Sequence, residues 1–186
     1  MSERMDIAKK QSLMNVICLG LFSVLIVKNL LYPDLQEMLM YSYMIMVYLM
    51  VDIVWLFKWP ECNPCPKETI FHHFVSIFAL FIAITVPESR YIGAKVQLIE
   101  LTTWLSHLRR LLKPKSYRAL NGFFYVFLLV IRHLWFPYLA YWLLLRWSEA
   151  FYIKLCLAGV LYLNIMYIKW TILLSKAITQ NKDDLD

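Results

Sequence analysis

Two adjacent histidines, His72 and His73, open an apolar run from Thr69 to Val86, and a later run carries Glu100, Thr103 and His107. A neutral imidazole oriented by a carboxylate can act as a general base, or can itself be acylated. Asp52 and Glu100 are the acids suited to orient one here, which makes His72, His73 and Asp52 the candidate catalytic set. Glu100, Thr103 and His107 stand at i, i+3 and i+7, one stripe of a helix, and His72 with Ser76 form an i, i+4 pair on another. Adjacent helical residues point about 100° apart, so one histidine at most faces a given partner squarely. Arg132 is the natural counter-charge for Glu100 or Asp52, because an unpaired arginine in lipid costs at least about 2.5–3.5 kcal/mol. Pro137, five residues further on, predicts a kink and freed carbonyls beside it.

These groups need elements to hold them, and composition says of what kind. Hydrophobic residues make up 61% of the 186 and aromatic residues 16%, above the apolar share of soluble domains. The fold expected is all-α, a polytopic membrane bundle of six transmembrane helices around a central polar or lipid-filled cavity. Apolar runs fall at about 13–32, 35–59, 69–86, 91–112, 121–145 and 151–175, each near the length that crosses about 30 Å of hydrocarbon. The fourth is the least apolar, diluted by Lys95, Glu100 and Arg109. Pro33-Asp34, the stretch Pro60 to Pro66, Pro87-Glu88, Lys113-Pro114 and Ser148-Glu149 punctuate the runs. Residues 1–12 read as a short cytosolic segment, 13–175 as the membrane domain and 176–186 as a polar cytosolic tail.

Lysine and arginine orient such a bundle, since cytosolic flanks carry the positive excess. With both termini cytosolic, Arg4, Lys9, Lys10, Lys58, Lys67, the Arg109 to Arg118 stretch, Lys176 and Lys182 lie inside, against Arg90, Lys95, Arg146 and Lys154 outside. The net charge of +6 is thus a topology signal and a contact for anionic headgroups; it does not imply nucleic acid. The first apolar run is longer than a signal-peptide core and lacks a small-residue cleavage site, so it reads as a retained anchor. Cys62-Asn63-Pro64-Cys65 falls in a cytosolic turn, where zinc binding or acylation is the sharp reading and a proline-stiffened turn the plain one.

At about 1.5 Å per residue, His72 and His73 lie about 5 Å from the cytosolic edge, His107 about 7–8 Å, Asp52 about 10 Å, and Arg132 and Glu100 about 16–18 Å. All sit between one face and the bilayer centre. Such a shared depth predicts one cavity open to the cytosol, with Glu100, Thr103, His107, Arg132 and Ser76 lining it beside the histidines. The plain alternative is a network that merely pins packed helices together. A proton path fits less well, because no polar series continues to the far face. Metal or haem ligation by His72, His73, His107 and His133 lacks a ligand spacing such as His-Glu-x-x-His, so no metal is assigned. Four glycines form no nucleotide-binding motif, and no cofactor is expected.

Three segments in order are similar to the TLC-domain family of membrane proteins, which includes the translocon-associated TRAM and Lag ceramide-synthase proteins. They are Tyr48-Leu49-Met50-Val51-Asp52, Phe71-His72-His73, and Glu100-Leu101-Thr102-Thr103-Trp104-Leu105-Ser106-His107-Leu108-Arg109, with Arg132 and Pro137 resembling a later element. The resemblance implies a lipid-holding helix bundle, usually of the endoplasmic reticulum. In the synthase branch the histidine pair is tied to acyl transfer from acyl-CoA to a sphingoid amine. Here Phe78 to Val86 holds neither the Asn-x-x-Arg stretch nor the His-Asp…Asp cluster of the synthases, and His107 stands where many members have Asn. The resemblance is therefore to the short, non-ceramide-synthase branch, linked to membrane lipid composition. It implies membrane lipids or fatty-acyl chains as partners, with acyl-CoA as co-substrate if a transfer reaction is retained.

Overall fold

In a computed structural model of the protein, residues 2–32, 34–63, 65–112 and 117–183 are described. The breakers Pro33, Pro64 and Pro114, with Lys113 and Lys115 and the side chains of Arg4, Arg110, Arg118, Lys176 and Lys182, lie outside the described residues. The chain is all-α. Its helices are α1 (Ser2–Leu31), α2 (Leu35–Lys58), α3 (Pro66–Thr85), α4 (Arg90–Gln97), α5 (Ile99–Leu111), α6 (Tyr117–Phe127), α7 (Phe136–Leu145) and α8 (Phe151–Asp183), with a π-helical run at Leu128–Trp135. Residues 9–31, 36–58, 66–85, 122–145 and 151–173 are each long and apolar enough to cross a membrane.

The helix ends follow local chemistry. Asp34 caps α2, its Oδ1 accepting from the Gln36 and Glu37 amides at 2.8 and 3.1 Å. Pro66 stands in the first turn of α3, where an amide proton would have no helical partner. Between α2 and α3 the Asn63 side chain accepts from the Cys65 amide at 2.8 Å, an Asx-type hydrogen bond. Neither Cys62 nor Cys65 is in a disulfide, and both are half-buried. Pro137, in the first turn of α7, cannot donate to the turn before it, and the preceding eight residues wind as a π-helix.

The fourth apolar run is two helices broken at Leu98. It is short of the length and hydropathy of the other five, for a physical reason. α4 packs against α1, α2 and α3, and α5 lies along α1. A segment enclosed by other helices can carry polar side chains, since its neighbours rather than lipid satisfy them. Gln97 bonds Ser42 of α2 at 3.1 Å, and the Thr102 hydroxyl is fully buried and donates to the Ile99 carbonyl at 2.8 Å.

By internal contacts the chain forms two compact units, 1–128 and 129–186. In the first, Leu19, Phe22 and Ile26 of α1, Ile45, Tyr48 and Leu49 of α2 and Leu80 of α3 form a core. Gly20 backs onto the Trp104 indole, and Gly93 approaches Ala83 closely. The pairs Gly20–Trp104 and Asn15–His107 have nearly constant residue-number sums, so α1 and α5 run antiparallel. In the second unit α7 packs on α8, with the Phe136 and Tyr167 rings edge to face at 5.3 Å.

Burial is inverted relative to a water-soluble domain. Phe71, Phe74, Phe78 and Phe81 form an exposed stripe on α3, while Gln11, Ser12, Asn15, Asp52, His72, His73, Gln97 and Glu100 are buried. A bilayer demands that distribution, because polar groups facing hydrocarbon have no partner.

Candidate functional site

Asp52 lies six residues before the end of α2 and His73 seven residues after the start of α3, so the turn between the helices sets them level. Because α3 starts at Pro66 rather than Thr69, the histidines sit deeper than expected, about 10 Å from the helix end like Asp52. His73 Nε2 is 2.8 Å from Asp52 Oδ2, with both side chains buried. Gln11 Nε2 of α1 donates to the other oxygen, Asp52 Oδ1, at 3.1 Å. An ionised carboxylate only accepts, so His73 donates from Nε2, and in its neutral form carries its lone pair on Nδ1. That Nδ1 is buried and has no hydrogen-bond partner.

Other residues of the first unit surround this dyad. His72 is also buried, its ring centroid 5.5 Å from that of His73. His107 on α5 is within electrostatic reach of Asp52, and its Nε2 is 3.1 Å from Asn15 Nδ2 of α1. Tyr48, one turn before Asp52 on the same face, lies within reach of both Asp52 and Glu100. Its ring meets Phe22 edge to face at 5.9 Å. Asp52 of α2 thus meets His73 of α3 and Gln11 of α1 directly, with His107 of α5 in electrostatic reach of it and Glu100 of α5 in reach of Tyr48. Ser76 and Thr103 are half-buried, and the Thr103 hydroxyl reaches back to the Ile99 carbonyl at 3.4 Å. Arg109, at the end of the Glu100 segment, places its guanidinium 4.6 Å from the Phe124 ring, tying α5 to α6.

Arg132 belongs to the second unit, in the π-helical run, where its guanidinium lies 4.8 Å from the Tyr167 ring. Beside it His133 Nε2 is 3.0 Å from the Thr171 hydroxyl. Among the described residues no three of His, Cys, Asp and Glu form a group able to hold a metal.

Gln11 and Asn15 are absent from the site inferred from sequence, although they touch its acid and one of its histidines. A signal was present. Residues 11, 12, 15, 19, 22, 23 and 26 follow helical spacing, and all are buried. Polar members at the start of that stripe belong to the bundle interior, whereas a span drawn from residue 13 leaves Gln11 and Ser12 in water.

Long apolar helices that face outward, enclosing buried acids, amides and imidazoles, define an integral membrane protein of the helical-bundle class. The family model for the TLC domain matches residues 10–176, most of the chain. The chain belongs to the TLC-domain family. No curated protein and no solved structure matches it.

Proposed function

We propose that the protein binds a membrane lipid or fatty-acyl chain at the polar cluster of its first unit and takes part in membrane lipid homeostasis. The carrying observation is the buried Asp52–His73 pair with Gln11, Asn15 and His107 gathered near it. Stability alone does not call for such a set, because apolar side chains of similar volume often serve as well as or better than buried, hydrogen-bonded polar partners. A lipid headgroup offers the donors and acceptors that these groups take up, and its chain suits the apolar helix interior. Positive residues concentrated on alternate connections support cytosolic termini, and family membership supports the endoplasmic reticulum as the membrane.

One observation favours a second reading, acyl transfer from acyl-CoA. Asp52 holds His73 through Nε2, which leaves the Nδ1 lone pair as the basic atom. In that reaction Nδ1 takes the proton of a lipid hydroxyl or amine as the latter attacks the thioester carbonyl. The C–S bond breaks, and the CoA thiolate leaves with the proton returned from the imidazolium.

Mass spectrometry of lipid co-purified with the wild type and with His72→Ala/His73→Ala tests both readings. Binding here predicts a lipid retained by the wild type and lost from the variant. Bound acyl-CoA or an acylated histidine selects the transfer reaction, and equal retention by both proteins refutes lipid binding at this site.

A further inference from the structure

We propose that α1 is a working part of the site: Gln11 and Asn15, one turn apart, are positioning residues that hold His73 and His107 in opposite tautomers. The proposal rests on reading the cluster as functional, and deepens it by assigning which ring nitrogen of each histidine carries the proton.

Residues four apart on a helix share a face, and both amides are buried, Asn15 to 1% exposure. Gln11 donates to one Asp52 oxygen and so turns the other toward His73. His73 then presents N–H at Nε2 and, as a neutral ring, its lone pair at Nδ1. Asn15 does the reverse for His107. Its Nδ2, which only donates, stands 3.1 Å from His107 Nε2, so Nε2 is the lone-pair nitrogen and Nδ1 carries the proton. The Asn15 Oδ1 is buried without a hydrogen-bond partner. An apolar residue would fill the position without that cost, so the amide is not explained by packing. Two imidazoles near one carboxylate are thereby made chemically unlike, and one helix face sets the difference.

A structural role for the same two amides would knit α1 to α2 and α5 without fixing any proton. Solid-state NMR separates the two cases, using the full-length protein carrying isotope-labelled histidine in phosphatidylcholine bilayers. Spectra are taken at a pH where the ring-nitrogen shifts themselves report neutral imidazoles, with each of the four histidines assigned by single His→Gln variants. The expected result is Nε2–H at His73 and Nδ1–H at His107. Asn15→Asp places an acceptor where a donor stood, so it should move the His107 proton to Nε2 and leave His73 unchanged. Gln11→Leu should turn the single His73 tautomer into a mixture and leave His107 unchanged.

The same tautomer on both wild-type histidines overturns the proposal, and that spectrum needs no variant to fold. An unmoved His107 proton in Asn15→Asp, or an unmixed His73 in Gln11→Leu, overturns the part assigned to that amide. Lipid retention is measured on the same samples. Absence of lipid from a wild type with the expected tautomers defeats the functional reading alone, whereas lipid retention with matching tautomers defeats the positioning role alone.

Discussion

Replacing Gly93 by alanine presses a new methyl group from α4 onto α3. A Cβ at Gly93 would stand 2.7 Å from the Ala83 Cβ, whereas non-bonded carbons rest at about 3.5–4.0 Å, so the two helices must part by about 1 Å. Ala83 is 2% exposed and its Cβ is fixed to the α3 backbone, so no flexible side-chain end can give way. Overpacking of this kind costs about 1–3 kcal/mol. Alanine recovers up to about 1 kcal/mol through its better helix propensity. Near the middle of these ranges the loss is about 1–2 kcal/mol, or about 5–30-fold in the folded-to-unfolded ratio. Thermal unfolding in detergent, followed by circular dichroism, should show Gly93→Ala melting below the wild type. Gly122 provides the control, because a Cβ there meets nothing within 4 Å, and Gly122→Ala should be neutral or stabilising. Adding Ala83→Gly should recover stability in the Gly93→Ala background. A Gly93→Ala protein as stable as Gly122→Ala, or no recovery by Ala83→Gly, refutes close packing at this crossing.

Three further outcomes follow from other parts of the molecule. His73→Leu leaves the Asp52 carboxylate buried with its imidazole gone and should cost about 3–5 kcal/mol. The Asp52→Leu/His73→Leu protein should lose less than the two single losses added, and strict additivity in denaturation would contradict the pairing. Burial, and secondarily the Glu61 carboxylate, push the Cys62 thiol above its usual range, so less thiolate is present at neutral pH. Alkylation of Cys62 should therefore be slower than that of a free thiol and keep rising with pH beyond the ordinary thiol range, with Glu61→Gln reacting faster; rates measured by peptide mass spectrometry check this. Cytosolic termini predict that a glycosylation acceptor placed near Glu88 is modified while acceptors at either end are not, and a gel-shift assay showing the reverse would discard the orientation.

The parts of the fold legible in sequence are those where lipid sets the composition. α1, α2, α3 and α8, and the helical stretch ending at Leu145, each hold an apolar window long enough to cross, and proline or acidic residues mark their ends. Asp52 and the histidine pair were readable because ionisable groups in apolar runs are conspicuous. Which histidine meets Asp52 was not, since it depends on where α3 starts, and Pro66 rather than the first apolar residue decides that. The break at Leu98 was hidden for a similar reason: neighbouring helices, not the local pattern, satisfy the polar groups around it. Gln11 and Asn15 were hidden because an amide near the end of a span looks like a solvated flank until a partner helix covers it.

The segment from Arg90 to Leu111 also constrains how the protein is made. Taken alone it carries Arg90, Lys95, Glu100, Arg109 and Arg110, and each charge near a helix centre opposes insertion by about 2.5–3.5 kcal/mol. Composition would leave such a segment in the aqueous channel of the insertion machinery. The α5 part of it lies antiparallel along α1, which precedes it in the chain and offers the buried Asn15 amide to His107. The order of synthesis then matters: α1 precedes α5 in the chain, so its buried amides stay uncovered until α5 follows. Substitutions that spoil this polar stripe of α1 would then act during synthesis, as failed integration and degradation.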